Sequence, residues 1–61
     1  MTDDEFKAWI AWAPPERLES VAELVQADAW RMMAAGDVEK GTRFEGIAAM
    51  MRLLAEQRRA P

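Results

Sequence analysis

Three groups of residues have types and spacings that invite a chemical reading. The carboxylates come first: Asp3, Asp4 and Glu5 in a run, then Glu16, Glu19 and Glu23 at helical spacing. Paired carboxylates can cleave a glycosidic bond, but only across a cleft that holds two of them on either side of a substrate. A chain of 61 residues folded as a mini-bundle offers no such cleft. Glu16, Glu19 and Glu23 read instead as a solvated helix face, and Asp3 to Glu5 as acids placed at the positive end of a helix dipole. The second group is Gly36-Asp37-Val38-Glu39-Lys40-Gly41-Thr42. It has the ingredients of a phosphate-binding loop in the wrong order, because that loop needs Lys directly after the second Gly and a strand before the first. Here Lys40 precedes Gly41 and the segment follows a helix, so it reads as one helix ending and another beginning. The third group, Arg52, Arg58 and Arg59, is the one set of cations that could contact nucleic-acid phosphates.

What is absent narrows the chemistry further. The chain has no Cys and no His, so no thiolate nucleophile, imidazole base or ordinary zinc site is available. Tyr and Asn are missing as well, and the hydroxyls are Thr2, Ser20 and Thr42. The expectation is a protein that is no enzyme and takes no cofactor, metal or small-molecule substrate. The net charge is −3, a poor balance for a general phosphate binder. That charge is unevenly spread: residues 1–30 are strongly acidic, while residues 31–61 carry a small basic excess. Nucleic acid is therefore the second choice of partner, requiring an oligomer that doubles the Arg52, Arg58, Arg59 set.

Lack of Cys is compatible with a reducing compartment. No basic stretch followed by an apolar one opens the chain, and the apolar runs, Ala8 to Ala13 and Ile47 to Met51, are far short of the roughly 18 residues of a membrane span. The sequence thus predicts a cytoplasmic protein with no membrane partner. One domain fits in this length, and domains so small usually need a disulfide, a metal or oligomerisation to be stable. With the first two aids missing, self-association is the expected route.

The elements that would position these residues are all helices. Pro14–Pro15 and Gly36–Asp37 divide the chain in three. Thr2 with Glu5 makes a capping box that starts a helix over about 3–12. Pro15 suits the first turn of a second helix, over about 15–35, and Ala13 before Pro14 is pushed out of the α region. Gly36 suits the position just past that helix, and Asp37 the N-cap of the next. The third helix is expected over about 38–59. A later start is the alternative, since Thr42 and Glu45 form a second capping box after Gly41. The predicted fold is an all-α three-helix mini-bundle, an antiparallel hairpin of helices 2 and 3 with helix 1 packed on it, in cis or on a neighbouring chain.

The apolar surface of helix 3 is wider than one neighbour needs. Phe44, Ile47, Ala48, Met51, Leu54 and Ala55 share an arc of roughly 120°, and Met50 and Leu53 extend it to roughly 220°, against the about 100° that one packing partner requires. Gly46 beside them would let another helix come close. Trp12 and Trp30 are the aromatic residues least accounted for by a single core. Trp9 reads as core beside Phe6 and Ile10, whereas Trp30 is either covered by helix 1 folding back or anchors a partner. The sequence predicts a small accessory or regulatory interaction module, self-associating through Trp12, Trp30, Met50 and Leu53. A third reading is a monomer whose helix 1 shields all three Trp.

Overall fold

The computed structural model describes residues 2–60 and is all-α: α1 (Asp3–Ile10), α2 (Pro15–Ala34) and α3 (Val38–Arg59). Thr2 caps α1, its Oγ1 accepting from the Glu5 backbone N–H at 3.2 Å. The helix stops at Ile10, short of the expected Trp12. The Trp12 and Ala13 N–H groups both donate to the Trp9 carbonyl, at 3.2 and 2.9 Å, so the chain tightens into a turn before Pro14. Pro14 itself is extended (φ −69°, ψ 156°) and Pro15 opens α2 at its first position, where the missing N–H costs nothing.

The junction of α2 and α3 settles where α3 begins. Gly36 sits at φ +97°, a left-handed conformation natural to glycine. Its N–H donates to Met33 O and that of Asp37 to Met32 O, at 3.0 and 2.9 Å, the paired bonds of a Schellman closure. This places Ala35 outside α2 as its C-cap, one residue before the expected end. Asp37 then caps α3, accepting from Lys40 N–H at 3.2 Å. The early start of α3 is the observed one. Thr42 lies inside the helix, its hydroxyl donating to the Val38 carbonyl at 2.8 Å.

The α2–α3 hairpin packs through small side chains. Ala13, Leu18, Ala22, Ala29, Ala48, Met51 and Ala55 are the buried hydrophobic residues, and only Leu18 and Met51 among them are large. Alanine faces let helix axes approach toward the short end of the usual range of about 8–10 Å. Gly41 marks the closest approach. A Cβ there would lie 2.5 Å from Met33 Cγ and 2.8 Å from the Ala29 carbonyl oxygen.

α1 lies along one flank of this hairpin. Phe6, Trp9 and Ile10 pack against the core, with the Phe6 and Trp9 rings stacked at 6.2 Å between centroids. The start of α1 shares a cleft with Val25, Phe44 and Ile47, and its end is held by Arg58. It therefore runs parallel to α3 and antiparallel to α2, giving an up-down-up mini-bundle. Its eight residues span about 12 Å against about 30 Å for α2. Much of the hairpin is consequently two helices thick in one direction only, and the molecule is a slab of 41 × 23 × 14 Å.

Candidate functional site

The four residues expected at an interface are all exposed: Trp12 68%, Trp30 58%, Met50 46% and Leu53 57%. Leu24 and Val38, absent from the expected set, are equally open. These residues do not form one surface. Trp12 sits in the turn after α1, at the end of the bundle away from Gly36. Trp30 lies about 140° around α2 from Val25, the residue facing α1, so it is on the opposite flank of the hairpin. Helix 1 does not fold over it, contrary to one expectation, because α1 is too short and occupies the other side. The shielded-monomer reading fails with it, since two of the three Trp are exposed. Trp9 alone is packed against the core as expected.

Met50 and Leu53 belong together on the outer face of α3. Leu53 points roughly opposite Ala48, Met51 and Ala55, the residues that meet α2, and Met50 lies about 60° from Leu53 on the side toward α1. Gly46 falls between them one turn earlier, and a Cβ placed there would meet nothing within 4 Å. Gly46, Met50, Leu53 and Gln57 recur at 4-3-4 spacing and so lie along one line of the helix surface, with Met50 and Leu53 its two large apolar members.

The three arginines are placed quite differently from a phosphate-binding patch. Arg59 grips Glu19 through both carboxylate oxygens, the Nη2–Oε2 bond measuring 3.0 Å. Arg52 donates to the Gln26 side-chain oxygen. Both lie on the flank where α3 meets α2, in a shallow groove of about 380 Å³ that also holds Glu19, Glu23 and Glu56. Three carboxylates beside two guanidiniums make a poor site for an anion. The hydrogen bond to Glu19, followed by its charge, holds the Arg59 guanidinium above its usual range. A folded value above the unfolded one means that this contribution is intact throughout the ordinary pH range and is lost only in strongly alkaline solution. Arg58 points to the other side, donating to the carbonyls of Ala13 and Ile10 at 2.6 and 2.7 Å. Sequence reading missed this role because no local spacing signals a bond across more than forty residues.

The remaining features are modest. A mostly apolar cleft of about 270 Å³ lies between the start of α1 and the hairpin, lined by Phe6, Val25, Phe44 and Ile47 among others. Among the described residues no group of acids is arranged to hold a metal ion. No helix there is long and apolar enough to cross a membrane.

Fold and surface together define an all-α, up-down-up mini-bundle with Met50 and Leu53 exposed on the outer face of α3. Comparison with protein-family models, with curated proteins and with solved structures finds no match to this chain.

Proposed function

We propose that this protein is a non-catalytic, self-associating interaction module of the accessory or regulatory kind, and that two copies meet through the outer face of α3. One observation carries the reading: among the described residues two large side chains, Leu18 and Met51, are fully buried while six large apolar ones stay exposed. A core made mostly of alanine removes little apolar surface from water, and the stability of small domains depends on that surface. A second copy on the outer face of α3 would cover two of the six, Met50 and Leu53. An antiparallel pairing of two α3 helices about a two-fold axis sets Met50 against the partner's Leu53 and Gly46 against the partner's Gln57, each pair twice by symmetry. Large side chains then meet one another, and the long Gln fills the space that Gly leaves.

The nucleic-acid reading is the less favoured one, because Arg52, Arg58 and Arg59 each have a partner within the chain. The test of self-association is molar mass by light scattering over a concentration series, for wild type and Leu53→Glu. A dimer or larger species that Leu53→Glu dissociates is expected. A wild type that remains monomeric at high concentration would overturn the reading.

A further inference from the structure

α1 is the least anchored element of the bundle. None of its residues is buried, and a helix of this length is not stable alone in water. Pro14 and Pro15 join it to α2 without a backbone N–H that could tie the two together. Carbonyls at a helix C-terminus lack partners within the helix. Here Trp9 O is taken by Trp12 and Ala13 N–H, and Arg58 supplies donors to Ile10 O and Ala13 O. Its positive charge also sits at the negative end of the α1 dipole. Arg58 is thus the polar fastening of α1, beside the apolar contacts of Phe6, Trp9 and Ile10.

The surface that α1 covers adjoins the one assigned to assembly. Ile47 and Leu54 are partly buried and pack with the core on the α1 side. On the α3 wheel Leu54 lies about 40° from Met50 and Ile47 about 60°. In the Gly46–Met50–Leu53–Gln57 seam they hold the flanking positions, one on each heptad, where apolar side chains widen the contact between paired helices.

We infer that α1 is a latch, fastened by Arg58, that limits the width of the α3 assembly face. Docked, α1 keeps Ile47 and Leu54 within the bundle. Released, it leaves them to a second copy of the chain. This rests on the self-association reading and adds its regulation: whatever loosens α1 strengthens assembly.

The experiment pairs amide hydrogen exchange with light scattering on wild type, Arg58→Met and Phe6→Ala. Met keeps the apolar stem of Arg58 and removes its donors, while Phe6→Ala loosens α1 from its other end. Exchange is measured in the Leu53→Glu background, so that assembly does not mask opening. Each loosening variant is expected to exchange its α1 amides about tenfold faster, with α2 and α3 protection unchanged. If the open fraction of each copy rises tenfold, the apparent dimer dissociation constant falls by up to about a hundredfold, because both copies of the two-fold pair must open. Unchanged α1 exchange, or equal loss of protection in all three helices, overturns the latch. Faster α1 exchange with unchanged or weaker dimerisation overturns its coupling to assembly. If wild type and variants are all monomeric while α1 opens, the self-association reading falls and the latch with it, and only the fastening of α1 by Arg58 stands.

Discussion

The glycines show how differently one residue type can serve. Gly41 lies where α2 and α3 are closest, and its missing side chain is what lets Met33 and the Ala29 carbonyl sit there. Gly41→Ala should destabilise the fold by about 1–3 kcal/mol, because a backbone carbonyl cannot step aside as a flexible side chain can. Gly46 has open space instead, so Gly46→Ala should stabilise the isolated chain by about 0.5–1 kcal/mol through helix propensity. The same change should weaken a dimer whose helices approach closely at that position. Chemical denaturation at a concentration where the Leu53→Glu chain is monomeric separates the two effects. Opposite signs for Gly41→Ala and Gly46→Ala are expected, and equal effects would contradict the packing described. Gly36 makes a third case: at φ +97° an alanine is strained by about 1–2 kcal/mol, visible as a lowered unfolding midpoint.

At the level of elements, α1 is distinct from the hairpin. Its N-cap is a single side-chain bond from Thr2, and losing such a cap costs about 1 kcal/mol. Thr2→Ala should therefore speed exchange of the α1 amides several-fold and leave α2 and α3 as they are. Loss of protection throughout would mean that the three helices open as one. The uneven charge along the chain also finds its use between elements. Acids of α2 face bases of α3, most directly in the Glu19–Arg59 pair, so the asymmetry favours the antiparallel hairpin itself. The pair is nearly half exposed and is screened by salt. Exchanging the two charges in the double variant Glu19→Arg/Arg59→Glu should recover most of the stability that Glu19→Arg alone loses.

For the molecule as a whole, shape and composition point the same way. A slab only 14 Å in its thinnest dimension, with an alanine-rich core, has little interior in proportion to its surface. Assembly through Met50 and Leu53 should add stability that grows with protein concentration, so the thermal midpoint should rise as the chain is concentrated. Burial of two such side chains on each copy contributes about 1.5–3 kcal/mol per side chain before the costs of association. The proposed contact is apolar, so added salt should not dissociate it, whereas a phosphate-binding role would show affinity falling steeply with salt. A midpoint that does not change with concentration would exclude a dimer in the range measured.

Much of this architecture was legible in the chain because its signals are local. Thr2, Pro15, Gly36 and Asp37 mark helix ends through chemistry confined to a few residues, and the 3.6-residue period of Leu18, Ala22 and Ala29 or Ala48, Met51 and Ala55 identifies the buried stripes. The exposure of Met50 and Leu53 follows from the same periodicity, since a helix cannot turn more than one side to a single neighbour. What only the tertiary structure decided was which flank α1 takes, and why. That choice depends on contacts between residues distant in sequence: Arg58 reaching Ile10 and Ala13, and Phe6 sharing its cleft with Val25 and Phe44. It left Trp30 on the uncovered side and distributed the three arginines among partners in the chain. Local propensity determines where helices begin and end. The faces that meet are selected by side-chain shape and by donors and acceptors that come together only once the chain has closed.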